Sequence, residues 1–415
     1  MTDIVVTGLG ILSPGARGLD AAWEGALAGR TAAAVDDDLV EMGTPVTLAC
    51  RVPSFDPDAE LGRGASRRLD RFTHLAVIAA REAIQHAGLA KPDAEELASV
   101  DPDRTGVILG SGIGGAETWA SEYPNYLEKG PKRVSPMFVP KMLSNTAAGT
   151  IAIRSGARGP NMTVNTACAA GASSIHLGRD LIRAGAADVV LAGGVEAGVT
   201  GLAVSAFAQM GALTKNPDPA TASRPFDVDR DGFVIGEGAA VVVLESAEHA
   251  AARGAQAYAT VAGAGASADA HHATAPPEDG GGAILAMETA VRDAGIAPSD
   301  IGHLNAHGTS TPLNDAAEAR ALRAVFGDHT DAIAVTSTKG VTGHTLGAAG
   351  AIEAVFAIQT LREGRMPPTA NLVNQDPEIA LDVVSGAPRE APLSAVLSTS
   401  MGFGGQNAAL VFTPA

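Results

Sequence analysis

Cysteine is almost missing from these 415 residues: Cys50 and Cys168 are the only two. Two thiols build no disulfide framework, and their scarcity fits a reducing compartment. Aromatic residues make up 4% of the chain. No apolar run approaches the ~18 residues of a membrane span, so no transmembrane helix is expected. Basic residues are in deficit, 29 Lys and Arg against 46 Asp and Glu, for a net charge of −17. Such a chain offers no overall basic stripe to a nucleic-acid backbone, and any acidic partner must find a local basic patch. The opening MTDIVVTGLG reads as a strand and lacks the basic and apolar regions of a signal peptide, which leads us to expect a cytoplasmic protein. GxxxxGK[ST], HExxH and CxxC are all absent. Nucleotide hydrolysis and a zinc site are therefore not expected, and neither a metal nor a cofactor is called for.

What fills the chain is small. There are 49 glycines and abundant alanine, with 46% apolar and 18% charged residues. That composition excludes a disordered chain and suits closely stacked layers. Apolar, β-branched runs at 4–8, 105–112, 187–194 and 239–246 end in glycine or a polar turn. They read as strands buried on both faces of an α/β protein, with helices over 73–87 and 167–184 between them. REAIQHAGLA (81–90) resembles ETAVRDAGIA (288–297), 207 residues on, and VVTGLG (5–10) resembles TVAGAG (260–265), 255 residues on. These pairs admit two explanations, a duplicated α/β unit or the chance likeness of Ala/Gly-rich segments. If duplicated, the first half carries an extra ~50 residues, for which the irregular stretch around 112–160 is the candidate. GxG occurs at Gly8/Gly10, Gly110/Gly112 and Gly263/Gly265, but none completes a GxGxxG that is followed by an acidic residue closing a second strand. Tight turns at strand ends explain them better than a dinucleotide site.

Three segments carry chemistry. In TVNTACAAG, starting at Thr163, Cys168 follows a short strand and opens a helix. Free backbone N–H groups and the positive helix end would lower its thiol pKa, and small neighbours leave room for a substrate. Cys50, in LACRVPS, has nothing reactive beside it and reads as a buried structural thiol. His307 in NAHGTSTPLND and His344 in STKGVTGHTLG lie in Gly/Thr turns, offering two hydrogen-bond donors to a developing oxyanion. Lys339 either pairs with Glu353 across the site or is a solvated surface lysine. The Gly-rich STSMGFGGQN turn (398–407) would let a backbone N–H approach a ligand.

TACAAG around Cys168, HGTSTP around His307, STK…TGH around Lys339 and His344, and GFGGQN around Phe403 stand in an order and spacing that resembles the β-ketoacyl-acyl carrier protein synthases, closest to type II, over essentially the whole chain. That resemblance implies a five-layer αβαβα thiolase-like fold of two duplicated halves, 1–255 with the nucleophilic cysteine and 256–415 with both histidines, and a homodimer. It implies that Cys168 takes an acyl chain as a thioester and that malonyl carrier protein is decarboxylated. Backbone N–H groups of Cys168 and Phe403 would form the oxyanion hole, while His307 and His344 would bind the enolate oxygen. Lys339 would act with Glu353, and Thr309 and Thr311 would support the site. Ile113 and Phe207 would line the acyl pocket with Phe403 as its gate. Two positions depart from the pattern: Met401 stands where type II enzymes carry Phe, and Gly211 where they carry Arg. Arg67, Arg68, Lys132 and Arg133 are the candidates for a patch that meets the acidic carrier protein. The competing readings are the ketosynthase of a type II polyketide pathway, with a chain-length factor as partner, and a non-catalytic chain-length factor. Cys168 argues against the last, and the lack of a second cysteine near the C-terminus argues against a degradative thiolase.

Overall fold

The computed structural model describes residues 2–91 and 94–415. In the first half the main strands are β1 (Ile4–Ser13), β2 (Thr105–Gly110), β3 (Asn161–Val164), β4 (Val189–Glu196) and β5 (Gly238–Ser246). The second half contributes β6 (Ala259–Ala268), β7 (Ile301–Asn305), β8 (Ala334–Thr336), β9 (Asp382–Val383), β10 (Ala395–Gly402) and β11 (Gln406–Thr413). Spatial order is β9-β8-β7-β10-β11-β6-β1-β5-β4-β2-β3. Taken by rank within its half, each set therefore runs 3-2-4-5-1, with β9 an added edge strand. Pairing directions also repeat: β2 is parallel to β3 and β4, as β7 is to β8 and β10; the added β9 is parallel to β8, and the remaining neighbours are antiparallel. The halves join where β1 meets β6, at Val5 with Thr260 and Val6 with Ala259.

Helices α1 (Arg71–His86), α2 (Ala116–Lys129), α3 (Thr146–Ser155), α4 (Ala170–Arg183) and α5 (Gly201–Gln209) belong to the first half. Those of the second are α6 (Gly281–Ala294), α7 (Pro312–Phe326) and α8 (Ala349–Glu363). Residues of α1 and α3 pack on the outer face of the first sheet, those of α6 and α7 on the outer face of the second, and α4 and α8 share the core between the sheets. The result is five layers, αβαβα. Helix α8 is buried from Ala349 to Leu361, so it needs no polar face, as expected of a middle layer. Where α4 crosses α8, a Cβ on Gly171 would stand 2.7 Å from the Ala351 nitrogen, and one on Gly350 would stand 2.8 Å from the Ala172 nitrogen. The crossing is close because glycine sits on both sides.

The sequence repeat marks segments in mutual contact. Both β1 and β6 bulge at the same place, between Val6 and Gly8 and between Val261 and Gly263. A methyl on Gly8 or Gly10 would overlap the carbonyls of Ala83 or Ala79 in α1, and one on Gly263 or Gly265 those of Ala290 or Ala286 in α6. These GxG pairs thus lie inside strands and admit a helix, where strand-end turns were expected. Gly110 ends β2 and likewise leaves space for Ala170. The extra length of the first half is also placed differently. The 57 residues of 14–70 separate β1 from α1, against the 12 of 269–280 between β6 and α6. Segment 112–160, which was the candidate, holds α2 and α3 and is mostly helical.

Candidate active site

Cys168 lies in a single tight turn, Ala167–Ala169, between β3 and α4. Ala167 takes φ +48, a strained left-handed conformation that turns the chain sharply into the helix. Cys168 is buried. Burial pushes its thiol up to about 11, with Lys339 and the N–H groups of Phe403 and Cys168 pulling the other way. The expected lowering is thus overridden: removing the sulfur from water costs the thiolate more than those positive groups return. Cys50, in the strand Leu48–Cys50, is fully buried, and burial alone raises its thiol far.

His307 follows β7 by two residues. Its N–H donates to Glu318 Oε1 (2.8 Å) and Thr399 Oγ1 (3.2 Å), and the Gly308 N–H donates to Glu318 Oε2 (2.8 Å). Lys339 is 1% exposed, which settles against a surface lysine. Its Nζ donates to the His307 carbonyl at 2.6 Å, lies 3.4 Å from His307 Nδ1, and is ion-paired with Glu353 on α8. An ammonium group only donates, so His307 Nδ1 must accept and the ring proton resides on Nε2. His344 is held by its backbone, which donates to the Val234 carbonyl (2.8 Å) and accepts from Gly236 (2.9 Å). The two imidazoles stand 5.4 Å apart at 86°, with Phe233 edge-on to His344. Burial and the Lys339 charge hold both rings well below the usual histidine range, so they are neutral. Burial raises the Glu353 carboxyl to about 7 against the pull of Lys339.

Cys168, His307 and His344 open onto one cavity of about 400 Å³, with Phe207, Met401 and Phe403 in its wall. Thr309 and Thr311 also line it, their hydroxyls 2.9 Å apart. Phe403 heads the turn between β10 and β11. Its ring centre is 6.4 Å from that of Phe207, and the turn is held by Gly404 N–H to the Ala273 carbonyl (2.7 Å) and Asp269 N–H to that of Gly405 (2.8 Å). Gly211 has φ +69, where an Arg would be strained. Ile113 is not in this wall: it is 41% exposed and stands beside Gly198. The basic candidates divide. Arg67 and Arg68 end a short helix, Ala65–Arg68, whereas Lys132 and Arg133 lie in the turn just after α2. No group of three or more His, Cys, Asp or Glu suited to a metal is found among the described residues, and none of their helices is long and apolar enough to cross a membrane. Glu318 and Glu196 escaped the sequence reading. The only signal for Glu318 is an acid one turn after Asp315 on a helix that also carries Arg320 and Arg323 on its other side, too common a pattern to single it out.

Five stacked layers with a cysteine elbow and two histidines meeting at the seam between halves define the thiolase-like class. Within it, the family models "Beta-ketoacyl synthase, N-terminal domain" and "Beta-ketoacyl synthase, C-terminal domain" match residues 1–250 and 258–373. The chain belongs to the β-ketoacyl synthase family. It is 43% identical to 3-oxoacyl-[acyl-carrier-protein] synthase 2 of Staphylococcus aureus (strain COL) over 412 residues, 99% of this chain and 97% of that one. A β-ketoacyl synthase from Burkholderia phymatum STM815 superposes with TM-score 0.92 at 34% identity, covering all of both chains. A type II polyketide synthase ketosynthase, solved in complex with its acyl-carrier protein, gives TM-score 0.89 at 31% identity over 100% of this chain and 99% of that one.

Proposed function

We propose that the chain is a 3-oxoacyl-acyl carrier protein synthase, an acyltransferase that lengthens fatty acyl chains by decarboxylative Claisen condensation. The observation that carries this reading is the meeting of Cys168, His307 and His344 in one cavity. The Cys168 sulfur attacks the carrier-bound acyl thioester, the new S–C bond forms, and the carrier thiol leaves with the proton. N–H groups of Cys168 and Phe403 bind the oxyanion. Malonyl carrier protein then enters; its C–CO₂ bond breaks, and the electron pair passes to the thioester oxygen as an enolate. His307 and His344 donate to that oxygen from Nε2, each as a neutral ring with its proton on that nitrogen. The enolate carbon attacks the Cys168 thioester and the sulfur departs as thiolate. Lys339, paired with Glu353, fixes the His307 tautomer, while Thr309 and Thr311 contact the incoming carrier arm. Phe207 bounds the acyl chain, a role the geometry withholds from Ile113, and Phe403, with Met401 beside it, gates entry.

Acyl carrier protein is the partner, met by Arg67, Arg68, Lys132 and Arg133. The chain divides functionally at 255/256, works in the cytoplasm and pairs with a second copy of itself. The type II polyketide relative supports a second reading, a ketosynthase paired with a chain-length factor. Carrier-bound acyl chains of graded length supplied to purified enzyme separate the two: activity without a second subunit favours fatty-acid elongation. Cys168→Ala abolishes both acyl loading and condensation, whereas His307→Ala or His344→Ala spares loading more than decarboxylation. Radiolabelled acyl loading that survives in the cysteine variant would sink the proposal.

A further inference from the structure

Glu196, the last residue of β4, is fully buried, and five donors converge on it. Oε2 accepts from the N–H groups of Gly112 (2.7 Å) and Gly347 (3.2 Å). Oε1 accepts from the Ser111 hydroxyl (3.1 Å) and the N–H groups of Ile113 (3.1 Å) and Gly114 (3.3 Å). No cation is among these five partners.

The duplication shows what this carboxylate replaces. The turn Leu346–Ala348 precedes α8 as Ala167–Ala169 precedes α4, and Leu346 takes φ +50 where Ala167 takes +48. Gly347 therefore stands where the other half has Cys168. In the strands, Leu191 of β4 pairs with Val243 as Leu397 of β10 pairs with Val411, so Glu196 corresponds to Gly402. The two elbows are complementary. Beside Cys168 the facing strand presents Gly402, a Cβ on which would come 2.5 Å from the Thr166 carbonyl. Beside Gly347 it presents Glu196, and a Cβ on Gly347 would come 2.7 Å from Oε2.

We propose that Glu196 is a positioning residue of the active site: its carboxylate fills, beside Gly347, the place that corresponds to the oxyanion position beside Cys168. It thereby ties Ser111–Gly114 of one half to the start of α8 in the other, three residues beyond His344. The nucleophile and the histidines come from different halves, and a buried carboxylate with four backbone donors is a rigid tie between them. The likeness to an oxyanion rests on the condensing-enzyme reading above. The charge also opposes the Cys168 thiolate, which Lys339 favours.

Full-length Glu196→Ala and Glu196→Gln, with wild type, are assayed for condensation and for Cys168 alkylation by iodoacetamide across pH, each with and without sodium formate. Loss of hydrogen bonds to a charged acceptor is expected to lower condensation by Glu196→Ala about 10- to 100-fold. Its alkylation profile shifts to lower pH, and formate, a free carboxylate of the right size, restores condensation and moves the profile back. In Glu196→Gln the amide NH2 faces the donors of one oxygen, either Gly112 and Gly347 or Ile113 and Gly114, and leaves no room for formate, so its loss is not restored. Wild-type condensation in Glu196→Ala, or a folded Glu196→Ala that formate does not rescue, overturns the proposal. If Glu196→Ala does not fold, a Glu196→Gln variant with wild-type condensation and alkylation overturns it. A wild type that fails to condense refutes the function instead, and the alkylation arm still judges Glu196.

Discussion

One buried ion pair and two neutral rings set the chemistry at the residue scale. Lys339 is buried against Glu353 and the His307 carbonyl, so its ammonium replaces solvent and dictates which imidazole nitrogen carries the proton. Removing it leaves Glu353 buried without a countercharge, a loss of about 3–5 kcal/mol. Lys339→Met should therefore unfold at markedly lower urea than wild type, and Lys339→Met with Glu353→Leu should recover part of the difference; equal midpoints for wild type and the single variant would refute the ion pair's role. The cysteine makes a separate prediction. With its thiol raised to about 11, it is protonated at neutral pH, and alkylation of the free enzyme should quicken roughly tenfold per pH unit from 7 to 10. A plateau below pH 8 would mean that the helix end and Lys339 outweigh burial.

At the scale of elements, the strands and helices meet through glycine. Gly10 of β1 and Gly265 of β6 lie under helix carbonyls that a methyl would overlap. Alanine at either position must push α1 or α6 outward, and overpacking of this kind costs about 1–3 kcal/mol or more. Gly25, within the helix Leu19–Leu27, has nothing within 4 Å of its would-be Cβ. There alanine should raise stability by about 0.5–1 kcal/mol through helix propensity. Thermal melts of Gly10→Ala and Gly25→Ala should move in opposite directions; a common direction would refute the close-approach account. Most strands and helices were legible because apolar runs and glycine stops are local signals. The insertion was misplaced because a shift in repeat offset says that length was added between two marked segments, and 14–70, which contains short helices and strands of its own, did not read as the interruption.

For the whole molecule, charge governs the encounter with a carrier. The chain carries −17 overall, so an acidic carrier protein is repelled everywhere except at local basic sites. Asp70, two residues beyond Arg68, accepts from the Thr118 N–H near the start of α2, while Lys132 and Arg133 follow its end, so the two pairs lie at opposite ends of a helix about 20 Å long. Charge reversal at Lys132 and Arg133 should raise KM for carrier-bound substrate with little change in kcat, reversal at Arg67 and Arg68 should do so independently, and the wild-type KM should itself rise with salt. An unchanged KM in both double variants would remove these residues from the docking surface.

Sequence alone determined the α/β class and the family, and singled out Cys168, His307, His344, Lys339 and Phe403 as candidates, because each sits in a short stretch rich in Gly, Ala or Thr. Tertiary structure decided what those groups are. Burial turned the cysteine into a protonated thiol and the histidines into neutral donors, since desolvation depends on what every other element covers. It also made carriers of structure out of Glu318 and Glu196, whose significance lies in donors brought from distant segments, up to 151 residues away for Gly347 and Glu196. The scarcity of cysteine, first a statement about redox compartment, ends as an asymmetry between two elbows: one half kept its thiol, and the other has glycine with a carboxylate in the space.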